Sequence, residues 1–195
     1  MIQRHAGTIG SDYFEEMFRS SDDPWRLDAS DYEAAKRDAT IAALGGRRYT
    51  SAWEVGCAKG ALTERLAPYC ARLLAMDVSE TALEAARQRL QGRKDVAIER
   101  AAFPAWTPPD DFDLILLSEV VYYLDDGDLR RAGDRVAEAL RPGGDVLLVH
   151  WTGETDYPNS ADDAVTKLRA ALGNRVAEVT QQRTDAYRLD LWRAA

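Results

Sequence analysis

The stretch Trp53-Glu54-Val55-Gly56-Cys57-Ala58-Lys59-Gly60 constrains this chain more than any other. Arg47 to Ala52 lead into a strand, and Ala61 to Pro68 are apolar at roughly helical spacing. A strand that ends in glycine and opens a helix leaves free backbone N–H groups at the helix N-terminus. Gly56 lets the chain turn sharply and lets a ligand approach the backbone. Gly60 is expected to let the helix pack closely on the strand. The pattern is E-x-G-x-x-x-G, with Ala58 where a pyrophosphate would need glycine. Glu54, at the strand tip, repels phosphates but tolerates a cation or hydroxyl groups. A nucleoside ligand without phosphates fits better than a dinucleotide.

Leu73-Leu74-Ala75-Met76-Asp77 reads as a buried strand with an acid at its end. Asp77 lies 21 residues after Gly56, where a carboxylate can grip two ribose hydroxyls. Asp77 or Ser79 could instead cap a helix from Glu80 to Leu90. The joint pattern of strand, glycine turn, helix, strand and acid favours nucleoside binding over a mere tight turn.

At 195 residues and 46% hydrophobic, the chain is expected to form one domain with one sizeable core. A net charge of −8 disfavours nucleic acid and anionic membranes as partners. No stretch approaches the ~20 apolar residues that span a bilayer, and Met1 to Gly10 lack an apolar signal core. A cytoplasmic protein is expected. Cys57 and Cys70 are the only cysteines, with no C-x-x-C pair, so neither a disulfide nor a metal site is expected.

Residues 1–10 read as a loose terminus. Tyr13, Phe14, Met17 and Phe18 form an apolar stripe at helical spacing. Ser20 to Pro24 is a loop, followed by Trp25. Ser30 looks like an N-cap with Glu33 completing a capping box, for a helix from about Asp31 to Leu44 that stops at Gly45-Gly46. These two helices could fold over the sheet edge as a lid. Tyr13, Trp25 and Tyr32 are then either ordinary packing aromatics or pocket walls, with Lys36 or Arg37 meeting a carboxylate.

After the helix at 80–90 come a strand at Val96–Glu99 and a loop from Ala101 to Trp106. Small residues there would let a base slide against the backbone, with Phe103 or Trp106 over its face. Residues 107–111 read as a surface turn. Phe112 to Ser118 is typical of a strand buried on both faces. Glu119 to Leu124 follow, where the ligand crevice of such a sheet lies. Asp125 to Asp128 start a helix that runs to about Leu140, and Arg141-Pro142-Gly143-Gly144 stops it. Asp145 to Trp151 is a fifth strand. A polar loop, Thr152 to Ser160, precedes a helix from Ala161 to Leu172. Strands at Val176–Gln182 and Tyr187–Trp192 end the chain.

Taken together, Glu54 to Gly60, Asp77, Phe112 to Ile115 and Leu140 to Gly144 resemble the class I S-adenosylmethionine-dependent methyltransferases. A closer likeness is to the rhizobial nodulation protein S group of N-methyltransferases. Four segments carry it: Asp23-Pro24-Trp25 with Tyr32-Glu33-x-x-Lys36; Glu54-x-Gly56-Cys57; Ser118 to Leu124; and His150-Trp151 with Thr155 to Pro158. The resemblance implies a doubly wound, Rossmann-like α/β fold. Its seven strands would run in the order 3-2-1-4-5-7-6, the last antiparallel, with residues 1–46 as a helical lid and 47–195 as the core. It implies S-adenosyl-L-methionine as cofactor and a small-molecule amine, such as an amino sugar, as acceptor. Glu54, Gly56 and Cys57 would line the methionine end, with Gly60 supporting the turn. Asp77 would take the ribose, and Val78, Ala102 and Phe103 would face the adenine. Trp25 and Lys36 would close the carboxylate end. Ser118 and Glu119 would sit beside the sulfonium and the acceptor.

An amine acceptor, if like a lysine with a pKa of ~10.4, is mostly protonated at neutral pH and must shed a proton. Glu119 and His150 are the candidates to receive it. Asp156 and Tyr157 are candidates to orient the acceptor, and Tyr13, Tyr122, Tyr123 and Trp151 to wall it. His150 also reads as a plain strand-end residue, Tyr122 and Tyr123 as packing residues, and Cys57 as a small buried filler. An O-methyltransferase, a nicotinamide oxidoreductase and a non-catalytic nucleoside-binding module remain as other readings. A second subunit, in a homodimer, could complete the pocket.

Overall fold

The computed structural model describes residues 3–109 and 111–195. Met1 and Ile2 of the expected loose terminus, and Asp110 of the expected turn at 107–111, lie outside the described residues. The elements follow the order α1 (Ser11–Ser20), α2 (Asp31–Ala43), β1 (Ala52–Val55), α3 (Ala61–Leu66), β2 (Leu73–Asp77), α4 (Glu80–Arg89), β3 (Val96–Arg100), β4 (Phe112–Ser118), α5 (Asp126–Ala139), β5 (Leu140–Trp151), α6 (Ala161–Leu172), β6 (Val176–Arg183) and β7 (Tyr187–Ala194). The strand order is β3-β2-β1-β4-β5-β7-β6, as expected. β7 runs antiparallel to both β5 and β6. Among the described residues, no helix is long and apolar enough to cross a membrane.

The chain forms two compact units. The first is Gly10–Ala102. Here β1 and β2 pair in parallel from Ala52↔Leu73 to Val55↔Met76, and β3 pairs on the far side of β2. All four residues of β1 are buried. Trp53, Leu66, Leu73, Met76 and Leu83 fill the core, each large aliphatic side chain contributing about 1.5–3 kcal/mol of burial. α4 is capped by Ser79, whose Oγ accepts the Ala82 N–H at 3.1 Å.

Two local expectations are corrected in this unit. A Cβ on Gly60, where φ is 77°, would lie 3.2 Å from Ala86 Cβ and from Leu90 Cδ1. The close approach that glycine permits is therefore to α4, not to the strand. The capping box at α2 does not form: Ser30 makes no side-chain cap bond, and Glu33 Oε1 takes the Lys36 Nζ at 2.8 Å. Lys36 is buried. Leaving a buried ammonium unpaired costs several kcal/mol, against about 1 kcal/mol for an open cap.

The second unit is Phe103–Ala195 with the residues up to Ile9. Leu114, Ile115, Leu116 and Leu117 of β4 are fully buried. β4 and β5 pair in parallel from Leu114↔Asp145 to Ser118↔Val149. β5 begins at Leu140 rather than at Asp145, because Leu140 already pairs with Phe112. The register then shifts, and Arg141-Pro142-Gly143-Gly144 bulges within the strand instead of ending the preceding helix outright. Gly143 takes the left-handed φ of 68° that such a bulge needs.

Residues 3–9 are not loose. The His5 N–H donates to the Asp156 carbonyl at 2.7 Å and the Ile9 N–H to the Tyr123 carbonyl at 2.9 Å. Arg4 Nη1 donates to the Tyr157 carbonyl at 3.0 Å, and Thr8 Oγ1 accepts the Asp125 N–H at 2.9 Å. An irregular segment held by bonds to neighbouring backbone leaves no periodic trace in sequence.

Candidate active site

The cofactor candidates Glu54 to Asp77 sit at the C-terminal ends of β1 and β2. After β1 the chain bends through left-handed conformations at Gly56 (φ 76°), Ala58 (φ 47°) and Gly60 (φ 77°). The N–H groups of Gly56 and Cys57 both reach the Met76 carbonyl, at 2.8 and 2.9 Å. Asp77 points at this bend: its Oδ2 accepts the Ala58 N–H at 2.9 Å, and its Oδ1 accepts the Ser79 N–H at 2.9 Å. Burial pushes the Asp77 carboxyl up, opposed by those N–H donors. Glu54 is 1% exposed and its Oε2 has no hydrogen-bond partner among the described residues. Burial, with the Asp77 charge adding to it, pushes Glu54 up to about 7. Burial also holds the Cys57 thiol well above its ordinary value, so Cys57 is inert filler. Val78 offers its carbonyl to Arg100 Nε at 3.3 Å, and Ala102 is exposed.

Three tethers near this bend escaped sequence reasoning. Lys59, immediately before Gly60 in the bend, donates to the Asp22 carbonyl at 2.7 Å and to Asp28 Oδ2 at 2.9 Å. Arg89 of α4 holds Asp28 Oδ1 at 2.7 Å. Burial alone would raise the Asp28 carboxyl, yet Lys59 and Arg89 hold it below its ordinary range. The Trp25 loop is thereby tied to the bend. Trp25 itself has φ 59°, is 40% exposed and meets Phe18 edge-on at 5.8 Å. The third tether is Glu15 of α1. It takes Ser79 Oγ at 2.7 Å and Thr81 Oγ1 at 2.8 Å, which holds its carboxyl down at about 2. An acid on the polar side of an amphipathic stripe was the only available signal. Tyr13 is partly exposed and packs against Phe14. Lys36 Nζ also lies over the Tyr32 ring, 5.1 Å from its centroid.

The acceptor candidates follow β4 and β5 in the other unit. Ser118 ends β4, half-buried. Glu119 adopts a left-handed φ of 56°, an uncommon conformation for a glutamate. Its Oε2 accepts the Tyr122 hydroxyl at 2.6 Å and the Trp151 N–H at 2.9 Å. Burial first, then the Glu119 charge, pushes the Tyr122 hydroxyl well up. His150 is fully buried, and its Nε2 accepts the Val121 N–H at 3.2 Å and the Val120 N–H at 3.4 Å. An accepting Nε2 places the ring proton on Nδ1. Tyr157 lies 5.2 Å from Tyr122 and 4.5 Å from Tyr123, centroid to centroid. Asp156 is exposed, with its carboxylate 3.6 Å from His5 Nε2. Phe103 is half-buried and Trp151 partly exposed.

The family model of nodulation protein S (NodS) matches residues 12–152. The chain belongs to the NodS family. It is 38% identical to nodulation protein S of Sinorhizobium fredii (strain NBRC 101917 / NGR234) over 131 residues, which are 66% of this chain and 61% of that protein. It is 37% identical to nodulation protein S of Rhizobium tropici over 132 residues, which are 66% of this chain and 55% of that one. The NodS-family chain thus spans less than two thirds of the length of these relatives. Its structure is also similar to that of the N-methyltransferase NodS from Bradyrhizobium japonicum WM9 in complex with S-adenosyl-L-homocysteine. There the TM-score is 0.82 and the identity 28%, over 95% of this chain and 99% of that one.

Proposed function

We propose that this chain is an S-adenosylmethionine-dependent N-methyltransferase that acts on an amine nitrogen of a small molecule. The observation that carries the reading is the likeness, over 95% of the chain, to a NodS N-methyltransferase holding S-adenosyl-L-homocysteine. The donor set fits that ligand. Asp77 supplies a carboxylate for two hydroxyls beside the glycine bend, and Glu54 supplies an unpartnered buried oxygen. The bend has no glycine at Ala58 for a pyrophosphate.

In this reading the whole chain acts as one domain, with α1 and α2 covering the cofactor side. Glu54, Gly56 and Cys57 line the methionine end, and Gly60 supports the turn. Asp77 holds the ribose, and Val78, Ala102 and Phe103 face the adenine. Trp25 and Lys36 lie at the carboxylate end, and Ser118 and Glu119 at the methyl. The cofactor supplies a methyl group on a sulfonium, which departs without help from an acid. The protein's task is alignment in a water-poor pocket, an effect that reaches about 7–11 kcal/mol in favourable cases. Glu119 receives the acceptor's proton, oriented by Tyr122 and the Trp151 N–H. His150 braces the turn that follows Glu119 through the Val121 N–H. Tyr122, Tyr123, Tyr157, Trp151, Tyr13 and Asp156 bound the acceptor.

The test is methyl transfer from labelled S-adenosylmethionine to a panel of amines, amino sugars included. A labelled N-methyl product is the expected result. No binding of the cofactor in calorimetry would reject the reading. Firm binding with no methylation in a broad metabolite extract would favour a nucleoside-binding module.

A further inference from the structure

This inference concerns the shape of the acceptor and rests on the proposed role of Glu119 as the group that takes the acceptor's proton. β5 ends on two contrasting residues. His150 is fully buried, and Trp151, the next residue, is 38% exposed. Alternation along a strand sends the two side chains to opposite faces of the sheet. The exposed indole is nevertheless braced. A Cβ on Gly153 would overlap three consecutive atoms of its benzo ring, Cη2, Cζ2 and Cε2. Cζ2 would be nearest, with its two bonded neighbours scarcely farther. That is an approach along the ring normal, since an approach in the ring plane would leave the neighbours well behind. Gly153 therefore lies against one face of the indole, and a side chain there would drive the ring away. Gly153 is not among the glycines with a left-handed φ. Close approach, not backbone freedom, is what glycine supplies here. The backbone that carries the ring is also held. The Trp151 N–H donates to Glu119 Oε2 at 2.9 Å, and Trp151 pairs with Tyr187 of β7. The Glu119 carboxylate and the indole are thus joined through a single residue.

We propose that Trp151 is a stacking platform, held flat by Gly153, for a ring that the acceptor carries a few bonds from its amine. One face of the indole rests on Gly153, and the opposite face takes the ligand. The matching chemistry is a ring face: the π face of an aromatic ring, or the C–H face of a saturated one. An open chain of equal carbon count can cover the indole only by giving up conformational freedom. Trp151 then sets specificity, and Gly153 is a positioning residue that acts through it.

The test compares benzylamine, cyclohexylmethylamine and n-heptylamine, primary amines of equal carbon count, as methyl acceptors for the full chain. At least one ring amine should exceed n-heptylamine in kcat/KM by about 10-fold, with the difference lying in KM. The open-chain amine is at least as apolar, so hydrophobicity alone does not produce that order. Which ring leads, aromatic or saturated, identifies the source of the ring face. Trp151→Ala should remove the preference. The backbone N–H that Glu119 holds remains in that variant. Gly153→Ala should raise KM for the preferred ring amine about 5- to 10-fold and leave S-adenosylhomocysteine affinity unchanged in calorimetry. Adding Trp151→Phe to Gly153→Ala should restore part of the ring preference, because phenylalanine lacks the fused ring that the new methyl would meet. A glycine needed only for folding would return no substrate preference in this way. Circular dichroism checks that the variants fold. If Gly153→Ala does not fold, the wild type and Trp151→Ala still decide. Equal kcat/KM for the three amines overturns the proposal and leaves the methyltransferase reading standing. A ring preference that survives Trp151→Ala does the same, as does methylation of other amines with none of these three accepted. No methylation of any amine overturns both.

Discussion

Asp77 Oδ2 accepts the Ala58 N–H at 2.9 Å, which fastens the end of one strand to the bend after its neighbour. The same carboxylate holds the Ser79 N–H with its other oxygen. One side chain therefore shapes the bend and presents acceptors beside it. Asp77→Ala should raise the Kd for S-adenosylhomocysteine about 100-fold or more, and lower stability by about 1–3 kcal/mol. Calorimetry and urea unfolding read the two effects separately.

In the proposed reading, Glu119 takes the acceptor's proton and His150 braces the turn that follows it. Glu119→Gln should lower kcat about 100-fold or more with any amine that the wild type methylates. That loss should far exceed the change in cofactor affinity. His150→Ala leaves the buried Val121 N–H without its acceptor, and should cost about 1–3 kcal/mol of stability. Its pH–rate profile should keep the limb that Glu119→Gln removes. If the limb disappears with His150 instead, the proton goes to the imidazole.

Glu15 fastens α1 to the start of α4. Its carboxyl is held at about 2, below its unfolded value, chiefly by Ser79 and Thr81. The stability it contributes is thus present above about pH 4.5 and lost as pH falls toward 2. Glu15→Gln should lower unfolding free energy at pH 7 by about 1–2 kcal/mol, because the side chain is 17% exposed and partly screened. The difference should vanish near pH 2, read by urea titration at both values.

Glu54 has the opposite sign. Its folded value of about 7 lies above the unfolded one. Folding is unimpeded below about pH 4.5 and loses free energy as pH rises toward 7. Glu54→Gln should stabilise the empty protein at pH 8 by up to about 3 kcal/mol and change little at pH 4. Thermal melts without ligand measure this.

Gly133 sits in the middle of α5, where alanine would ordinarily gain about 1 kcal/mol. Here an added Cβ would lie 2.5 Å from Ala171 Cβ on α6. Overpacking of this kind costs about 1–3 kcal/mol, so Gly133→Ala should be destabilising on balance. An unchanged or higher urea midpoint would show that the two helices separate easily.

Most of the fold was legible because its elements are strongly patterned. β2 and β4 are apolar runs, and they begin and end where the sequence indicates. α4, α5 and α6 carry capping side chains at Ser79, Asp125 and Ser160. Patterns fail where a long-range bond decides. Glu33 is at the right spacing to cap α2, yet a buried Lys36 claims it. Arg141 to Gly144 carry a stop signal, yet Leu140 already pairs with Phe112. Arg4, His5, Thr8 and Ile9 show no periodicity, because backbone groups and loops hold them.

At the candidate site, glycine spacing and the strand-end acid pointed to Gly56, Gly60 and Asp77. Lys59, Asp28, Arg89 and Glu15 were invisible, because each acts through a partner at least 30 residues away in the chain. The left-handed backbone at Glu119 was equally hidden, since glutamate does not advertise that conformation.

The chain's two thiols, Cys57 and Cys70, are both buried. A cysteine introduced at an exposed position of α1, such as Glu16, would then be the group that a maleimide dye reaches in the native state. The protein comes ready for single-point fluorescent labelling, and an emission change on adding nucleoside would report directly on the environment of that helix.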